Sequence, residues 1–253
     1  MKNKKYKRNF LSNVLFKLDF PTLSDYGPEK ISAFQILIKK EFQILEEKSG
    51  VRIEHEFKGT EPIEYKTTKL LKWMFFNKTK TRIVLFESDN IIVEFKEYTH
   101  FEEYFKIIDL VINSLYQLYP SIVSTRLGLR YINQINIDEE HPFKWDHLLN
   151  RPLLDSISFI SDKKDISRYI TLIELNKEDY RLRFQYGIAN SLYPNPIIKK
   201  EFILDYDCFT FESLEKKEEI LDKVKEFNGV ISNMFEKSIE DGLRRIMEVA
   251  EDE

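Results

Sequence analysis

The stretch Ser124-Thr125-Arg126-Leu127-Gly128-Leu129-Arg130-Tyr131-Ile132-Asn133-Gln134-Ile135-Asn136 decides the fold. In an extended chain, successive side chains point to opposite faces. Ser124, Arg126, Gly128, Arg130, Ile132 and Gln134 then share one face, and Thr125, Leu127, Leu129, Tyr131, Asn133 and Ile135 share the other. The second face is mostly apolar and has to be covered. The first is polar and can be left open. One covered face is the signature of an antiparallel sheet with helices packed on one side.

The same logic extends outward. Residues 13–20, NVLFKLDF, alternate with Val14, Phe16, Leu18 and Phe20 on one face and Lys17 and Asp19 on the other. Residues 29–48 carry Ile31, Phe34, Ile38, Phe42 and Leu45 at three- and four-residue steps, and Gly50 follows where a C-terminal cap belongs. Residues 51–57, 70–76, 81–86 and 91–95 read as strands, the last two joined by the turn Glu87-Ser88-Asp89-Asn90. Residues 101–118 form a second amphipathic helix, closed by Pro120. The order is strand, helix, four strands, helix.

The remainder repeats it. A strand at 123–135 is followed by a short helix near 143–149. Strand-like runs come at 156–160, 168–175, 180–186 and 200–208, with a turn at 176–179. A helix of some 35 residues ends the chain, from Leu214 to near Val249. The predicted fold is α+β, made of two similar halves, 11–120 and 121–253, behind a basic tail at 1–10. Joined edge to edge, the halves make one curved antiparallel sheet with helices on the convex face and no exposed edge at the seam. This element order resembles the saddle of TATA-binding-protein-like folds.

Composition narrows the function. The chain has 253 residues, and its 20 Phe and 13 Tyr can fill a sizeable core. A single cysteine, Cys208, excludes an intramolecular disulfide and a cysteine zinc site, which fits a reducing cytoplasm. No apolar run approaches the ~20 residues that span a bilayer. Net charge is −4, although Lys2, Lys4, Lys5, Lys7 and Arg8 crowd the start. The acidic body argues against non-specific duplex binding. The basic tail and the aromatic faces, with Trp73 beside Lys72 and Arg82, leave a nucleic-acid-binding reading open.

Two constellations are candidates for chemistry. Arg126 and Arg130 sit about 13 Å apart on the polar face at ~3.3 Å per residue. Gly128 between them bares the backbone, and Asn133 adds an amide. Two guanidinium forks there could clamp a phosphate or carboxylate of a small anionic ligand or nucleotide. Alternatively they pair with acids on neighbouring strands, from Glu54, Glu56, Glu94, Glu174 and Asp205. Asp205 and Asp207, two apart in LDYD, share a strand face and form a weak metal-site candidate; ion pairing with the arginines is the other reading. The four histidines have no metal spacing, and no phosphate loop, dinucleotide fingerprint or nucleophile elbow occurs. No catalytic residue and no cofactor is indicated.

NVLFKLDFP near the start, RLGLRYINQI at 126–135, FILDYD at 202–207 and NGVISNMFEKSI at 228–239 form a recognisable set. Together they resemble the family of conserved, uncharacterised prokaryotic proteins described as sporadically distributed, over essentially the whole chain. The resemblance implies an apolar opening strand, an R-x-G-L-R-Y-x-N core, an L-D-x-D strand and a long terminal helix. It implies no activity. Patchy distribution implies mobile genes and so a place in a defence or toxin–antitoxin system. The expectation is a non-catalytic binding protein with a protein partner or a homodimer, more a binder than an enzyme. A metal-dependent nuclease or nucleotide hydrolase is the alternative.

Overall fold

A computed structural model describes residues 6–56, 64–139 and 141–248, with the backbone alone described for 51–56 and 64–70. Among these residues one nine-stranded sheet carries five α-helices. In chain order the elements are β1 (Leu11–Asp19), α1 (Pro28–Ile38), β2 (Ile44–Glu56), β3 (Glu64–Phe76), β4 (Arg82–Phe86), β5 (Asn90–Phe95) and α2 (Phe101–Leu118). Then come β6 (Arg126–Asn136), α3 (Asp155–Ser158), β7 (Tyr169–Asn176), β8 (Arg181–Ile188), β9 (Glu201–Thr210), α4 (Lys217–Ser238) and α5 (Asp241–Met247). All neighbouring strands run antiparallel, in the order β2-β3-β4-β5-β1-β6-β9-β8-β7. No helix among the described residues is long and apolar enough to cross a membrane.

The alternation of β6 sets the sides. Leu127, Leu129, Tyr131 and Ile135 are buried, whereas Arg130 and Gln134 are exposed. The covered side continues through Val14, Phe16 and Leu18 of β1, Val93 and Phe95 of β5, and Leu204, Tyr206 and Cys208 of β9. Phe34 of α1 packs edge-on against Phe75 and tilted against Phe86. Tyr104 of α2 donates to the Val93 carbonyl at 2.7 Å and packs its ring on Phe95. Asn228 of α4 accepts from Tyr131 Oη at 2.8 Å. These helices therefore share one face of the sheet. Each fully buried aromatic there contributes roughly 1.5–3 kcal/mol of transfer free energy.

Four departures from the expected elements have local causes. First, α1 stops at Ile38 instead of running to Lys48, because 44–48 pair in register with 72–76 of β3. Gly50 thus lies inside β2 opposite Leu70, not at a helix cap. Second, 156–160 is no strand. Asp155–Ser158 forms α3, where Ser158 Oγ donates back to the Leu154 carbonyl at 2.9 Å. The second half accordingly has three strands after its first, not four. Third, 143–149 is a run of turns, not a helix.

Fourth, the long terminal helix is broken. Ile239 is extended, 3% exposed, and bridges to Leu149. Ser238 O accepts from Asn150 N, and Glu240 N donates to Leu148 O, both at 2.9 Å. The backbone leaves the helix to satisfy this loop, and α5 follows. Gly242 N donates to His147 O at 2.9 Å, and a Cβ on Gly242 would stand 2.3 Å from that oxygen. Glycine is required there by close approach.

Of the expected basic tail, Lys2, Lys4 and Lys5 lie outside the described residues, as do Phe57 of the expected strand at 51–57 and Val249. Lys7 and Arg8 donate backbone bonds to Glu248 O and Met247 O at 2.9 and 3.0 Å. The Tyr6 ring packs on Phe235, tying this part of the tail to the C-terminal helices.

Candidate functional site

The side of the sheet opposite the helices has its centre on β1, β6 and β9. Cross-strand register puts Asp19 beside Arg126, Lys17 beside Gly128 and Leu15 beside Arg130. On the other flank Gly128 faces Phe209, Arg130 faces Asp207 and Ile132 faces Asp205. The predicted arginines and aspartates are therefore brought together on one face, as alternation required.

Arg130 reaches diagonally past Asp207 to Asp205. Its Nε and Nη2 donate to Asp205 Oδ1 and Oδ2 at 2.8 and 2.6 Å, a two-pronged pair. The Asp205 side chain keeps 7% of its exposure, whereas Arg130 keeps 45%. Hydrogen bonding to Asp205 raises the guanidinium pKa further. Arg126 lies 3.5 Å from Asp207 and 3.9 Å from Asp19, and its guanidinium stacks over the Phe209 ring at 4.7 Å. Lys17 closes the row on Asp19 at 2.7 Å. The row holds three cations (Lys17, Arg126, Arg130) and three carboxylates (Asp19, Asp205, Asp207), so its charges cancel.

Asp207 keeps 17% of its side-chain exposure. Burial raises its pKa above the ordinary 3.8, Arg126 and Arg130 oppose the rise, and burial wins. Charge here is held at a cost in desolvation, not free for a ligand.

Each predicted site residue now has an observed setting. Gly128 does not bare backbone to a ligand, since a Cβ there would lie 2.9 Å from Arg126 Nη1: the glycine makes room for the folded-back arginine. Asn133 is on the opposite, helix-covered face, 4% exposed, and donates to the Leu204 carbonyl at 3.2 Å. It satisfies a buried backbone group, apart from the arginines. Asp205 and Asp207 do share a face, but guanidinium groups occupy them. Among the described residues no three His, Cys, Asp or Glu side chains converge as a metal site would require. Arg126 and Arg130 are thus committed to carboxylates, whereas Arg181 of β8, opposite Phe209 on the same face, lies over the Phe211 ring. Sequence reasoning missed Phe209, Asp19 and Lys17 as members of this row. The mixed Lys17/Asp19 face of β1 was the visible signal.

The side chains of Glu54 and Glu56 lie outside those described; other candidates have structural roles. Glu94 accepts from Asn13 at 2.6 Å, and Glu174 from Arg183 at 2.7 Å. Trp73 is 8% exposed and unavailable for stacking; Lys72 pairs with Glu87 at 2.5 Å. Arg82 pairs with Glu103 and lies over the Phe95 ring. His100 caps α2, accepting from Glu103 N at 3.2 Å. Cys208 is fully buried, and burial pushes its thiol up, away from reactivity. A shallow cavity of about 370 Å³ lies by the α4–α5 break, lined by His147, Glu240, Asp241, Gly242, Arg244 and Arg245. Arg244 is held there by Glu236 at 3.1 Å and Asp241 at 3.0 Å.

No protein-family model matches the chain, and no curated protein is significantly similar to it.

Proposed function

We propose that this chain is a non-catalytic binding protein that recognises a protein partner across the helix-free face of its sheet. One observation carries the reading: the charges at the centre of that face neutralise one another, while the Arg130 guanidinium keeps nearly half its exposure. A face prepared for phosphate or nucleic acid would keep an excess of cations. A protein interface instead favours preorganised arginine among apolar neighbours with little net charge. Leu15 and Ile132 supply those neighbours beside Arg130. The anionic-ligand and metal-dependent hydrolase readings have less support, because Arg126, Arg130, Asp205 and Asp207 are spent on each other.

The two halves are proposed to descend from one unit and to form a saddle. Support comes from the strand order: β1 and β6 meet in the middle, and outward from them β5, β4 and β3 match β9, β8 and β7 in place. β2 has no counterpart. Membership of the sporadically distributed family, and with it a role in a prokaryotic defence or toxin–antitoxin system, belongs to the same proposal and rests on the quoted motifs. A cytoplasmic location is proposed beside it, from the single cysteine.

The test is site-resolved cross-linking in the source cells. A photoreactive residue at Gln134, exposed on the helix-free face, is compared with one at Asp222 on the outer side of α4, whose side chain is 74% exposed. The reading expects one defined polypeptide captured at Gln134 and not at Asp222. Capture at Asp222 alone, or of nucleic acid at Gln134, overturns it.

A further inference from the structure

The two outer strands of the sheet differ in how they meet solvent. An edge strand presents unpaired N–H and C=O groups and is a template for another strand. Proteins protect such edges with charge, proline or bulges. β2, one edge, carries Glu46, Glu47, Lys48, Arg52, Glu54 and Glu56 in thirteen residues. β7, the other edge, reads YITLIELN: eight residues, one charge, no proline. It pairs with β8 without a register shift from Tyr169 to Asn176. Its single charge, Glu174, is already bonded to Arg183 on β8.

Exposed apolar residues are concentrated in the same stretch of the chain. Ten large hydrophobic residues are well exposed among those described, and five lie between 159 and 173: Phe159, Ile160, Ile170, Leu172 and Ile173. Phe159 is 87% exposed and Leu172 52%. Scattered apolar residues need no explanation, but Ile170, Leu172 and Ile173 exposed together on one unprotected edge do.

We infer that β7 is the contact of a homodimer, pairing antiparallel with β7 of a second copy so that two nine-stranded sheets become one. A second copy fits because the strand is complementary to itself. A two-fold axis at Leu172 puts Glu174 opposite Ile170; one at Ile173 puts it opposite Leu172. In neither register does a carboxylate meet a carboxylate. Closed two-fold pairing removes both exposed edges at once and leaves the two charged β2 edges outermost. The dimer contact is separate from the helix-free face, so either proposal can fail alone.

Sedimentation equilibrium of the full chain, at tens of micromolar, tests this. The expected mass is twice 30.4 kDa. Leu172→Lys should return it to 30.4 kDa with the circular-dichroism spectrum of the folded chain unchanged. As a second probe, single cysteines at Leu172 and Ile173 are oxidised. One of them should form disulfide-linked dimers, since facing residues of an antiparallel pair come within disulfide reach. A cysteine at Ile36, 74% exposed on α1, should not. The native Cys208 is buried and does not compete. A monomer throughout the concentration range overturns the inference. So does a dimer that survives Leu172→Lys and cross-links at neither β7 position.

Discussion

At the scale of single residues, the face of each side chain in β6 was legible from alternation alone. The partner was not. Arg130 bonds Asp205 diagonally across β9, not the directly opposed Asp207, and that choice depends on strand neighbours that no local pattern specifies. Truncating Arg130 would strand a carboxylate that keeps 7% exposure, so an alanine there confounds folding with binding. Asp207 offers a cleaner test. Its folded-state pKa is raised by burial, so the native state holds that proton more tightly than the unfolded chain. Between the unfolded value and the raised folded value, stability from this group falls as pH rises. Put the other way, acidification relieves the buried charge. Asp207→Asn removes the relief. Urea unfolding should therefore show the wild type gaining on the variant as pH is lowered from 7 towards 4. A difference that is constant with pH, or that moves in the variant's favour, would contradict this.

At the scale of elements, strongly amphipathic segments were readable and their ends were not. α2 is found at its expected bounds, Phe101–Leu118, because Tyr104, Ile107, Ile108, Val111, Ile112 and Leu115 keep one apolar face and His100 caps it. α1 ended early because Leu45, which continues the helical spacing of Ile38 and Phe42, instead pairs with Phe75 of β3, and only that partner decides between the two. The terminal helix broke for a tertiary reason, the loop at 148–150 that Ile239 joins. Its two glycines therefore have opposite meanings. Gly229 sits inside α4 with nothing within 4 Å of an added Cβ, so Gly229→Ala should stabilise by about 0.5–1 kcal/mol. Gly242→Ala must push against the His147 carbonyl and should destabilise. Thermal unfolding of the two variants should give shifts of opposite sign; equal shifts would show that the close approach at Gly242 is unimportant.

At the scale of the whole molecule, the sheet has a covered side, an open side with a neutralised central row, one guarded edge and one bare edge. The α+β class and the large antiparallel sheet followed from repeated alternation. The open face and its charge pairing required the strand order, in which β6, far along the chain, stands beside β1. The bare edge required knowing that β7 is outermost, although its composition was in view throughout. Recognition of a protein partner is the central claim. Native mass spectrometry of the chain purified from its own cells tests it most directly. The account predicts copies of the 30.4 kDa chain retained with a polypeptide of different mass. A chain that carries only a nucleotide or a metal, or that carries nothing, would contradict it.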